Sequence, residues 1–101
     1  HPSFEREVEI VRLRVPEAEE ELARQVAAAT ERLRSMDLYK PPGIAETLDW
    51  TQALVALGAK ELDERLVRAT LGSVLKYRED QQRVSSAGLA ELLSGVGGGG
   101  R

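Results

Sequence analysis

Apolar residues recur along this chain at helical spacing, and the recurrences are separated by proline, glycine and capping residues. Phe4, Val8 and Val11 fall at i, i+4 and i+7 behind Ser3, a residue suited to capping a helix N-terminus. Glu5 and Glu7 add negative charge to that first turn, where the helix dipole favours it. Val15-Pro16 ends this first helix, because a residue preceding proline avoids the α region. Pro16 in turn suits the first position of a second helix over residues 16–36. Leu22, Val26, Ala29, Leu33 and Met36 form its apolar seam, with glutamates loading its start and Arg32 and Arg34 its end.

A Pro41-Pro42-Gly43 loop divides the chain. Beyond it, Ile44, Leu48, Thr51 and Val55 line one helical face, and Trp50, Leu54 and Leu57 line an adjacent one. A stripe that wide implies burial on more than one side. Gly58 suits the stop of this third helix. Asp63 suits the N-cap of a fourth, with Leu62 and Val67 placed as a hydrophobic staple. The fourth pattern runs on through Leu66, Val67, Thr70, Leu71, Val74, Leu75 and Tyr77. The polar stretch Arg78–Arg83 reads either as continuing helix or as a short break. Ser86 then reads as the cap of a last short helix reaching Leu93. No segment carries a strand pattern.

The expected fold is therefore all-α, a compact bundle of four main helices plus a short C-terminal helix. Its domain occupies residues 1–94, and the glycine-rich residues 95–101 are expected to be a flexible tail. Val8, Leu22, Val26, Leu33, Leu48, Val55, Leu66, Leu71, Val74 and Leu75 are its expected core.

Composition narrows the class without naming a function. Aromatics are only 4% of the 101 residues, so the core must be aliphatic, which favours close-packed helices. The net charge of −3 supplies no overall basic field for nucleic acid. No cysteine is present, which excludes disulfides and thiolate metal sites and suits a reducing cytoplasmic setting. No apolar run approaches the length of a membrane span. The single histidine, His1, is terminal and reads as a solvated end. No Ser/His/Asp or Cys/His set can be assembled, and the carboxylates follow helix-start and solvent-face placement. The terminal glycines lack the lysine and following helix of a phosphate-binding loop. An active site is not expected in this chain alone.

Three segments together resemble the C-terminal helical lid of an AAA+ ATPase of the MoxR group. They are His1-Pro2-Ser3-Phe4-Glu5-Arg6-Glu7-Val8-Glu9-Ile10-Val11, Asp37-Leu38-Tyr39-Lys40-Pro41-Pro42-Gly43-Ile44-Ala45-Glu46-Thr47-Leu48-Asp49-Trp50, and Leu75-Lys76-Tyr77-Arg78-Glu79-Asp80. The similarity covers nearly the whole chain, and the central segment is its most specific part.

The resemblance implies a non-catalytic module of a chaperone-like protein that remodels partners or inserts cofactors. ATP and Mg²⁺ would bind in the parent protein's α/β core, and the chain itself would hold no cofactor. Its implied partners are that core, neighbouring subunits of a ring expected to be a hexamer, and a von Willebrand factor A-type protein; neither nucleic acid nor membrane is implied. Many such lids carry a basic residue, the sensor-2 position, at the start of the helix after a loop. Here Gly43 to Thr47 contain no cation, and Glu46 stands where one would be expected. Lys40 and the Lys76/Arg78 pair are the substitutes within the resemblance, and with Glu46 and Trp50 they form the nucleotide-proximal or interface candidates. Lys76-Tyr77-Arg78 also reads as basic residues late on a helix, where the dipole favours them, and Trp50, on an apolar face, reads first as a core or packing residue and second as an interface indole. The other reading of the same residues is a stand-alone helical protein–protein interaction domain that docks a partner on the Trp50 face.

Overall fold

The computed structural model describes residues 2–94 and 96, and within them every regular element is helical. The helices are α1 (Phe4–Arg14), α2 (Glu20–Ser35), α3 (Ile44–Ala56), α4 (Glu64–Val74), α5 (Arg78–Arg83) and α6 (Leu89–Leu93). A single π-helical turn, Val84–Gly88, joins the last two. His1, residue 95 and residues 97–101, including most of the expected tail, lie outside the described residues.

The local signals act where they stand in the chain. Ser3 Oγ accepts the Arg6 N–H at 3.2 Å, and Asp63 Oδ1 accepts the Leu66 N–H at 2.8 Å. Gly58 adopts a φ of 77°, which is open to glycine and strained for other residues. Around it the Ala59 N–H reaches the Leu54 carbonyl and the Gly58 N–H reaches that of Val55, a Schellman stop.

α2 begins four residues later than Pro16 suggests. Pro16 and Glu17 form a turn in which the Ala18 N–H bonds the Val15 carbonyl at 3.0 Å. Val15 and Ala18 are both drawn into the core by this turn, so helix can resume only after it.

α2 is the central strut. Its Leu22, Val26, Ala29 and Leu33 seam faces the main core shared with α3, α4 and the C-terminal helices. Ala23 and Ala27, on a neighbouring face, pack with Val8 and Val11 of α1 in a second cluster. Those alanines are small enough to let α1 lie close, and Leu48 of α3 touches both clusters.

Most of the expected core is buried, but Leu48 and Val55 are only half-buried, and Leu57, on the adjacent face, is 58% exposed. The inward line of α3 is instead Thr47, Trp50, Thr51 and Leu54. Threonine can occupy it because its hydroxyl bonds the preceding turn, as Thr51 Oγ1 does to the Thr47 carbonyl at 2.8 Å.

The C-terminal third departs most from expectation. The fourth helix does not run through Tyr77: it stops at Val74, and Leu75 and Tyr77 are extended. Helix resumes at Arg78 and continues to Leu93 without a break, so Ser86 caps nothing and lies inside the π turn. Val84, Leu89 and Leu92 are all buried. A spacing of five between the first two would put them on different faces of an α-helix. The i→i+5 turn absorbs the extra residue and returns Leu89 to the core. Gly88 belongs to that turn, and a Cβ there would lie 2.9 Å from the Met36 Cε.

Candidate functional site

The loop that divides the chain is fastened at three points. The first is a buried ion pair beneath it. Arg34, near the end of α2, donates from Nη1 and Nη2 to the two carboxylate oxygens of Glu7 on α1, each at 2.8 Å. Its Nε donates to the Pro42 carbonyl at 2.8 Å, so one guanidinium joins α1, α2 and the loop. Thr47 Oγ1 lies 3.0 Å from Glu7 Oε2 and 2.9 Å from the Gly43 carbonyl, adding α3 to the cluster. The Glu7 side chain is 2% exposed and that of Arg34 10%, so the pair sits where charge is costly unless fully hydrogen-bonded.

The second fastening is Asp80. Its carboxylate accepts the Tyr39 N–H at 2.8 Å and the Lys40 N–H at 3.0 Å. This ties the loop to α5 across about half the chain and fixes the Lys40 backbone while its side chain stays exposed. Tyr39 and Tyr77 meet above this clamp, ring centroids 6.4 Å apart, although both remain substantially exposed.

The third is Glu46. Its Oε1 accepts the Gly43 N–H at 2.9 Å, closing the start of α3 from the side chain. The carboxylate is held below its usual range, first by that backbone N–H and further by the nearby Lys76 and Lys40, against burial acting the other way. Lys76 Nζ stands 3.8 Å from Glu46 Oε2. A carboxyl whose folded value is depressed stabilises the fold fully above the unfolded carboxylate range, and that contribution is lost as pH falls through the folded value. Wild type should therefore exceed Glu46→Gln in stability by about 0.5–1 kcal/mol at neutral pH. Urea melts across an acid series should show this gap closing below the carboxylate range. A gap that does not change with pH would contradict the assignment.

Lys76 and Arg78 line one open notch between α4 and α5, of about 560 Å³, together with Arg68. The structure thus links three of the five candidates by contact: Lys76 stands against Glu46 and shares a notch with Arg78, while Lys40 acts on Glu46 only as a nearby charge. Lys76 and Tyr77 are not late on the fourth helix but in the extended joint between α4 and α5.

The fifth candidate, Trp50, takes the core reading of its two and not the interface one. Trp50 is fully buried, and its Nε1–H donates to Thr70 Oγ1 at 2.7 Å. With its ring enclosed between α3 and α4 and its one polar atom satisfied internally, it offers no face to a partner.

Arg68 and Asp80 matter here but carry no site reading from the sequence pattern, and Glu7 and Arg34 read there only as helix-end charges. Arg68 was findable, since it precedes Gly72 and Lys76 at successive intervals of four. The others depend on contacts between distant segments. Among the described residues no cluster of His, Asp or Glu is placed to hold a metal ion, and no helix is long and apolar enough to cross a membrane.

Comparison with protein-family models, curated proteins and solved structures gives no match to this chain.

Proposed function

We propose that this chain is the C-terminal lid module of a MoxR-like AAA+ ATPase, contributing nucleotide-state sensing and subunit contacts without catalysis of its own. The observation that carries the proposal is the fastened Pro-Pro-Gly loop, which fixes the Lys40 backbone and sets Glu46, at the start of α3, against Lys76. A lid must transmit a rigid-body swing, and an edge tied to α1, α2, α3 and α5 moves only with the whole domain. Cations on that edge suit a surface turned toward phosphates, with Lys40 and Lys76 replacing a basic residue at the start of α3. The resemblance in residues 37–50 supplies the family. ATP and Mg²⁺ would then bind the parent's core, the neighbouring subunits would form a ring, and the setting would be cytoplasmic and chaperone-like, with a von Willebrand factor A-type partner. The test is ATP hydrolysis and assembly by the parent protein with residues 1–94 present and deleted; both should depend on them.

The alternative, a stand-alone interaction domain, loses its proposed anchor with the burial of Trp50. Any docking surface has to lie elsewhere.

A further inference from the structure

We propose that the notch between α4 and α5 docks an acidic segment of a partner protein. Arg68, Lys76 and Arg78 line it together with the neutral hydrogen-bonding side chains Gln81, Gln82 and Ser85, and no carboxylate is among its walls. That is unusual in a chain of net charge −3. The recess beside the π turn, by contrast, sets Arg32 and Arg83 against Asp37 and Glu91.

The cations of the notch are also largely uncommitted. Arg6, Arg12, Arg24, Arg34 and Lys60 each pair with a glutamate. Arg68 and Arg78 make no ion pair and no side-chain hydrogen bond among the described residues, and Lys76 has only its 3.8 Å approach to Glu46. The result is a local excess of positive charge, balanced among the described residues only at Lys76, by Glu46.

Its shape suits a peptide better than a small ion. At about 560 Å³ the notch is open, and its floor is bare at Gly72, where a Cβ would meet nothing within 4 Å. Lys76 and Arg78 flank the exposed Tyr77 in the extended joint after α4, and α5 that follows is tied through Asp80 to the Tyr39 and Lys40 backbone, so this wall of the notch is ordered. Arginine is a residue type on which binding energy concentrates, and a surface already ordered loses little entropy on docking. Three cations on an acidic body favour a short run of carboxylates over a nucleic acid, whose further phosphates the rest of the chain would repel. This inference concerns the chain alone and does not rest on the lid reading.

Fluorescence anisotropy of a fluorescein-labelled oligo-aspartate peptide, titrated with the chain at low salt, tests it. Saturable binding that weakens with added salt is expected. Arg68→Glu should weaken it about tenfold or more, equivalent to about 1.4 kcal/mol. Gly72→Glu should do the same while keeping every cation, because it places a carboxylate on the open floor. It also improves helix propensity over glycine, so a loss of binding would not be a loss of fold. Arg14→Glu on α1, which lines no part of the notch, should change little. Absence of saturable binding by the wild type would overturn the proposal, as would an equal loss in Arg14→Glu. Tighter binding of a single-stranded oligonucleotide of matched charge would also overturn it, making nucleic acid the occupant.

Discussion

Replacing Arg34 by methionine should destabilise the fold by about 3–5 kcal/mol, a large part of what a domain this size has. The loss has two sources. Glu7 would be left at 2% exposure without its counter-ion, with only Thr47 Oγ1 to bond it. The Pro42 carbonyl would lose its donor, freeing the loop whose fixed path holds Lys40 and Gly43 in register. Arg34→Lys should fall between the two, since an ammonium can meet the carboxylate but cannot form the fork and reach Pro42 as well. The pair need not be a net stabiliser. Converting both residues to apolar ones of similar volume, Arg34→Met with Glu7→Leu, removes the stranded charge and should recover much of the loss. Urea unfolding of the two single variants and the double one measures this directly. Additive losses, or single variants within about 0.5 kcal/mol of wild type, would show that the four-part junction does not act as a unit.

Trp50→Ala should cost about 3–5 kcal/mol, through lost burial and a cavity between α3 and α4 that rigid neighbours cannot close. Trp50→Phe separates the terms. It keeps most of the ring and deletes the donor to Thr70 Oγ1, whose own hydroxyl still bonds the Leu66 carbonyl at 2.7 Å. Its cost should therefore be nearer 1 kcal/mol plus the smaller volume change, roughly 1–2 kcal/mol in all. As the sole tryptophan, Trp50 also reports on itself: native emission should be blue-shifted and should shift red in one transition with helix loss. Emission already characteristic of a solvated indole in the native protein would contradict its burial.

What was legible in the sequence was local. Ser3, Gly58 and Asp63 each act within a turn or two of chain, so their residue types alone identify them. The seam of α2 was equally plain, because a long helix repeats its period several times. The errors fall where distant segments decide. The contacts of Glu7 with Arg34, Asp80 with the Lys40 backbone, and Gln25 Oε1 with the Leu62 N–H at 2.6 Å join residues far apart in sequence. Arg34 carried the signature of a helix-end cation, and nothing beside it marks the buried partner. The π turn was hidden for another reason: a five-residue spacing matches neither helical nor strand periodicity, so it looked like a boundary. Of the candidate site, Lys40, Glu46, Lys76 and Arg78 were identified as types, while the fastenings that bring them to neighbouring surfaces were not. Trp50 was weighed as core or interface, and its bond to Thr70 decides for core.

The lid reading is tested most directly by steady-state ATP hydrolysis of the parent protein, alongside its assembly state by light scattering. The account predicts a nucleotide-binding core upstream of His1 whose hydrolysis and ring assembly collapse when residues 1–94 are deleted and return when they are fused back, while the isolated chain hydrolyses nothing. A deleted protein that hydrolyses ATP and assembles as well as the intact one would contradict it.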